Sequence, residues 1–368
     1  MYNRFQLLIL FGGSLVLILM FLLYWGFLQQ QTVIIPTVIL SNTNYSWVST
    51  DISKWYSPAQ LCVLNGDSDC DAKDEDVGVK IFKRNCNFVS KEKQPYLFQA
   101  MTDYDEPHAK HLLSILRYVF DRNMTFIIMG DSLSDQCYTA ALLEIIRQDP
   151  NAVIRARTTP DEASCHPTFE DPMELHGRTD CGVNMVKLSG MTQFQPVYFL
   201  TDRKAAGHEQ LAYLEQLYDG MVLIYNAGVH LNDQKTAMKL YHYHMQLLLP
   251  VINKPHKNNI VFWRETTAQH FNNNTNGYFL ESSRHQECHS HIANINNWRV
   301  DYVQELFEKL PLIREHIHFI SFDQVTQPLW NMHRNIDFSQ SDCTHYCWWP
   351  MLWQPVWKNV ADIVLPNA

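Results

Sequence analysis

Short apolar runs that alternate with helix-length amphipathic stretches restrict this chain to a narrow set of architectures. Thr125–Met129, Met221–Tyr225 and Asn259–Trp263 have the length and composition of buried strands, and His316–Phe322 is a further one. Ala152–Arg157 and Pro196–Leu200 are weaker strand candidates. Helical patterns lie between them. Leu133, Cys137, Ala141 and Ile145 recur every four residues with Tyr138, Leu142 and Ile146 beside them, the apolar face of a helix ending near Arg147. Thr236–Leu249 reads as a helix stopped by Pro250, and Ile295–Leu310 as another. Pro355 stands in the first turn of a last helix that reaches Val364. Alternating strands and helices predict an α/β domain, a mostly parallel central sheet covered by helices on both faces in three layers, α/β/α. In such sheets ligands bind at the carboxyl ends of the strands, so the residues just after each strand are the ones to read for chemistry.

The start of the chain has a different character. Phe5–Leu28 is 24 residues without a charge. As a helix it would be about 36 Å long, against a hydrocarbon core of roughly 30 Å. Arg4 precedes it and no charged residue follows until Asp51, so the positive-inside rule places the N-terminus in the cytosol and translocates the rest. The expectation is a single-pass type II signal anchor; a cleaved signal peptide, the rival, usually has a shorter apolar region. The expected organisation is a cytosolic tail at 1–4, the anchor at 5–28, a lumenal stalk at 29–50, a Cys-containing subregion at 51–105 and the α/β domain at 106–368. Nine cysteines without C-x-x-C spacing read as disulfides plus one leftover thiol, with Cys137, inside a helix, as the odd one. Sequons at Asn44, Asn123 and Asn273 suit the same compartment. The net charge of −9 argues against nucleic acid as a partner, because phosphate binding needs a basic surface.

Four groups of residues fall just after strands. Gly130-Asp131-Ser132 sits between a strand and a helix, where unpaired N–H groups and the positive end of the dipole would face the Ser132 hydroxyl. That is where an oxyanion on a serine adduct needs stabilisation. Helix capping by Asp131 or Ser132 is the competing explanation. Asp342-Cys-Thr-His345 lies late in the chain, in what reads as a loop before the final helix. His345 is of the type that serves as base to a serine, and Asp342 of the type that orients such a base. Asn226-Ala-Gly228 offers a side-chain amide for an oxyanion and a glycine for close backbone approach, or simply a strand-ending turn. Arg264 with His270-Phe271 follows another strand; Arg264 suits a carboxylate, a loop contact, a donor contact or a structural ion pair.

Together these blocks resemble the SGNH/GDSL hydrolase-like fold. They are closest to the PC-esterase group that includes the trichome birefringence-like polysaccharide O-acetyltransferases. The resemblance rests on Gly130-Asp131-Ser132-Leu133 with Gln136, on Asn226-Ala227-Gly228, on Arg264 with His270-Phe271, and on Asp342-Cys343-Thr344-His345-Tyr346-Cys347. It covers roughly residues 85–365. Two departures stand out: His230 comes one residue later than the family's His, and Pro350 is displaced from its usual place after the second Cys. The resemblance implies a Golgi membrane protein with a lumenal catalytic domain. It also implies Ser132 as nucleophile, His345 as base, Asp342 as orienter, and the Ser132 N–H with Asn226 as oxyanion donors. Gly130, Asp131, Gly228, Arg264 and His270 would complete the oxyanion and substrate-binding region. The partners implied are an acetyl donor as co-substrate, acetyl-CoA being one candidate, and a glycan or polysaccharide acceptor; no bound cofactor or metal is expected. An esterase using the same residues on water and a non-catalytic glycan-binding protein are the alternatives.

Three further groups complete the reading. His285, Cys288, His289 and His291 are better explained by a disulfide and loop histidines than by a metal. Tyr241-His-Tyr-His244 alternates within a helix, which points its histidines apart. Cys343 and Cys347 bracket His345, and each is expected to bind a distant cysteine among Cys62, Cys70, Cys86, Cys165, Cys181 and Cys288, clamping the base.

Overall fold

The computed structural model describes residues 45–49, 96–100, 110–157, 181–201, 205–229, 234–254, 256–271, 288, 298–327, 329, 333–337, 340–346 and 350–365. The anchor segment, most of the stalk and the Cys-containing subregion, His230, His285, His289, His291, Cys347, Trp348 and Trp349 lie outside them. No helix of the described residues is long and apolar enough to cross a membrane.

The strands are β1 (Tyr45–Ser49), β2 (Tyr96–Ala100), β3 (Met124–Gly130), β4 (Val153–Arg157), β5 (Cys181–Lys187), β6 (Gln195–Thr201), β7 (Gly220–Asn226), β8 (Asn258–Arg264), β9 (Ile317–Ile320), β10 (His333–Asp337) and β11 (Gln340–Tyr346). The helices are α1 (His111–Asp121), α2 (Ser132–Gln148), α3 (Ala205–Leu217), α4 (Gln234–Ile252), α5 (Trp298–Lys309), α6 (Pro311–His316), α7 (Asp323–Thr326) and α8 (Gln354–Val364). Seven strands form one sheet in the order β4-β5-β6-β3-β7-β8-β9. β6, β3, β7, β8 and β9 run parallel, whereas β5 is antiparallel to both β4 and β6. The sheet is therefore mixed but mostly parallel.

Both faces are covered, and the period of two along each strand assigns its side chains. Phe126, Ile128, Val222, Ile224 and Phe262 pack with residues of α1, α2 and α8. Ile127, Met129, Leu223, Tyr225 and Trp263 pack with residues of α3, α4 and α5 on the other side. On the expected apolar face of α2, Leu133, Cys137, Tyr138, Ala141, Leu142 and Ile145 are buried and Ile146 is half-buried. Trp353 and Trp357 are also core residues. The β3 strand, central in this order, is followed by a helix on one face, while β7 beside it is followed by a helix on the other, the switch of faces at whose carboxyl ends α/β sheets bind ligands.

Some boundaries differ from the sequence expectation. The strand expected at His316–Phe322 is only Ile317–Ile320, because Phe322 and Asp323 turn into α7, where their backbone N–H groups bond the Glu265 carboxylate. Pro250 does not end α4, which continues to Ile252. Pro250 lacks the N–H for one helical bond and its ring crowds the preceding turn, yet burial of Val251 and Ile252 holds the last turn in place. Asp342–His345 lies in β11, not in a loop.

Candidate active site

The turn from β3 into α2 is built by two residues that leave little choice of side chain. Gly130 has φ of 148°, and a Cβ there would lie 2.0 Å from the Asn226 carbonyl oxygen and 2.4 Å from Ser134 Oγ. Only glycine allows this approach. Asp131 is the N-cap: its Oδ1 accepts from the Leu133 N–H at 3.0 Å. Its Oδ2 accepts from the Val229 N–H at 3.1 Å, so the same carboxylate ties α2 to the turn after β7. The capping role and the site-building role of Asp131 are thus one role. Ser132 follows as the first helical residue, partly exposed.

The partner arrives from the far end of the chain. His345 Nε2 lies 2.6 Å from Ser132 Oγ, across 213 residues of sequence. At this distance the Ser132 hydroxyl can donate to the His345 imidazole. β11 reaches this position through an irregular pairing with β10. Partners step from Asn335↔Ser341 to His333↔Tyr346, so β10 advances two residues while β11 advances five. Residues 342–345 therefore sit in a bulge, where the alternation of a strand no longer fixes the face a side chain takes. Asp342 belongs to this bulge; its side chain lies outside the described residues.

Several contacts lock β11 onto the sheet. The Gln136 side chain takes both polar atoms of Tyr346: its Nε2 donates to the Tyr346 carbonyl at 2.7 Å and its Oε1 accepts from the Tyr346 N–H at 3.2 Å. The Tyr346 hydroxyl donates to the Ala268 carbonyl at 2.7 Å. The His270 N–H donates to the Cys343 carbonyl, and Gln269 Nε2 donates to Thr344 Oγ1. Cys343 is disulfide-bonded to Cys288. Cys137 is the free cysteine among the described residues. Burial pushes its thiol up to about 12, so it is an inert core group.

The remaining expected residues are brought near the turn but serve it from behind. Asn226 is buried, and its Nδ2 donates to the Arg264 carbonyl at 2.8 Å and to Thr266 Oγ1 at 3.3 Å. The amide expected to meet an oxyanion is thus already engaged in joining the ends of β7 and β8. Arg264 is fully enclosed. Its guanidinium donates to the Glu265 carbonyl at 2.8 Å and to Ser134 Oγ at 3.5 Å, and lies over the Trp353 and Phe322 rings. A substrate contact is closed to it in this conformation. Burial lowers its affinity for the proton, and Cys137, Asp131 and Glu265 oppose that. Gly228 has φ of 128°, and a Cβ there would lie 2.1 Å from the Tyr241 hydroxyl, so it is required for packing against α4. His270 is fully buried, 2.6 Å from His333. Among the described residues there is no group of three or more His, Cys, Asp or Glu placed to hold a metal.

His333 and Gln269 were not apparent in the sequence. Neither belongs to a motif, and only the folded chain brings them to β11. No family model and no curated protein matches the chain.

Proposed function

We propose that this protein is an acyltransferase that works through a serine acyl-enzyme, and that it moves acetyl groups onto glycan hydroxyls. The observation that carries the acyl-transfer part is the 2.6 Å contact of Ser132 Oγ with His345 Nε2 at the first turn of a helix. His345 takes the Ser132 proton as Oγ attacks the acyl carbonyl, then gives it to the leaving group as the tetrahedral intermediate collapses. In the second half, His345 takes the proton of an acceptor hydroxyl, which attacks the acyl-serine, and returns it to Oγ. The Ser132 backbone N–H, at the positive end of α2, is the oxyanion donor of this reading. Asp342, three residues before His345, is its orienter.

The choice of acetyl, glycan acceptor and lumenal Golgi placement rests on the resemblance of the four blocks to the polysaccharide O-acetyltransferases and on the uncharged run Phe5–Leu28. The test is incubation of the full-length chain with radiolabelled acetyl donors, acetyl-CoA included, and a panel of glycans. Acetylated glycan and a trapped acetyl group on Ser132 are expected. Free acetate with no acetylated glycan across the panel would establish an esterase, and an acetyl group on another residue would refute the serine mechanism.

A further inference from the structure

Directly behind the proposed base lies a pair of imidazoles. His270, on the segment after β8, and His333, the first residue of β10, are both buried. Nδ1 of His270 and Nε2 of His333 are 2.6 Å apart, with the rings inclined at 61°. Each outer nitrogen meets a backbone carbonyl. His270 Nε2 is 2.8 Å from the Gln327 oxygen, and His333 Nδ1 is 3.0 Å from the oxygen of His345.

The protons of this pair can be counted. A carbonyl oxygen only accepts, so both outer nitrogens carry hydrogen. A neutral imidazole has one N–H, and with both rings neutral those two protons are used up. The inner nitrogens would then be two bare lone pairs facing each other at hydrogen-bond distance. With both rings doubly protonated, two N–H groups would collide. One additional proton, lying between the rings, is the arrangement that makes each of the three contacts a hydrogen bond.

We infer that His270 and His333 form an imidazole–imidazolium pair with three N–H protons and one positive charge, and that this pair positions the catalytic base by holding the His345 carbonyl. The inference rests on reading His345 as the base. Its physical logic lies in the bulge. The extra residues of β11 break the regular ladder that would otherwise fix the His345 backbone. A hydrogen bond from a charged donor is roughly twice as strong as a neutral one, and here it falls on the residue whose placement matters most.

Groups of both charge signs surround the pair. The Tyr346 ring lies 4.3 Å from the His333 ring and 6.3 Å from that of His270, centroid to centroid, and burial keeps its phenol protonated. The Asp323 carboxylate accepts from Gln327 Nε2, on the residue whose carbonyl receives the His270 proton. Glu265 caps the N-terminus of α7 from the other side of Asp323. Two buried cations lie nearby: Arg264, stacked over Phe322 and Trp353, and Arg299, whose Nη1 donates to Gln269 Oε1 beside His270.

The test uses the full-length chain with ¹⁵N-labelled histidine, assigned through His270→Gln and His333→Gln. At pH 7 the pair is expected to give three N–H signals, one of them a far-downfield proton coupled to both rings, and this proton disappears in either variant. Two rings that each show one protonated and one bare nitrogen would overturn the proposal. The positioning role is read from the rate at which Ser132 is labelled by a fluorophosphonate. His333→Gln is expected to lower that rate by about 10²-fold, the cost of a base misplaced by about 1 Å. His270→Gln keeps the His333 N–H on the carbonyl but removes the charge, and should lose less. Wild-type labelling of His333→Gln would overturn the positioning role. Label that persists in Ser132→Ala would instead refute the serine reading, while the proton count is settled by the spectra.

Discussion

Ser132 Oγ and His345 Nε2 share one hydrogen bond, so under the proposed mechanism their losses are not additive. Ser132→Ala and His345→Ala should each remove most of the acyl transfer, and the double variant little more; single-turnover acetylation measures it. Gln136 makes a different kind of contribution. Its amide satisfies both the N–H and the carbonyl of Tyr346, next to His345. Gln136→Ala leaves two buried backbone groups unpaired, at about 1–3 kcal/mol each. A fall in urea midpoint with a matching fall in acylation rate is expected; an unchanged midpoint would show that water or a neighbour replaces the amide. The serine and the histidine were legible as residue types in context, because a hydroxyl after a buried strand and an Asp-x-x-His block each suggest a chemistry. His333 carried no such signal. Its importance comes from a ring 63 residues away in the sequence, and no local spacing records that contact.

At the scale of elements, the strand–helix alternation was readable because burial imposes periodicity: two along β3 and β7, and four along the inner face of α2. β11 was not readable. It holds few of the apolar residues that mark a strand, and it pairs through a bulge, so its sequence looks like a loop. What keeps it in place is tertiary, including the bridge of Cys343 to Cys288. The expected clamp is realised at Cys343; Cys347 lies outside the described residues. Removing the bridge with Cys288→Ser should cost about 2–4 kcal/mol. Mild reduction should lower acylation before global unfolding, followed by near-ultraviolet dichroism. Full activity of the reduced, folded protein would show that Gln136 and the contacts to residues 268–270 hold β11 without it.

For the whole domain, two buried groups tilt the pH dependence of stability in opposite directions. Burial raises Glu265 from 4.5 to about 7, against the backbone N–H groups of Asp323 and Phe322. Its folded-state value lies above the unfolded one, so the folded form holds the proton more tightly, and stability falls as pH rises from about 4.5 through 7. Glu265→Gln should flatten that limb by on the order of 3 kcal/mol. Burial, then the neighbouring His208, lowers His244 from 6.5 to about 3. It is charged more readily when unfolded, so stability falls as pH drops below about 6.5. His244→Phe should flatten the acid limb. Urea titrations from pH 4 to 8 measure both, and parallel curves for wild type and variants would show that these groups are hydrated in solution.

By itself the sequence determined the layers, the buried faces and the place of Ser132 at the turn from a buried strand into a helix. Each follows from local rules: periodic burial, the glycine needed at Gly130, the cap at Asp131 and the start of a helix. The tertiary structure decided which side chains meet. It joined His345 to Ser132 across 213 residues and turned the Asn226 amide and Arg264 inward as braces. It also set His270 and His333 behind His345. Hydrogen bonds and side-chain contacts act over a few ångströms of space, and only the order of strands in the sheet brings residues so distant in the chain within that reach.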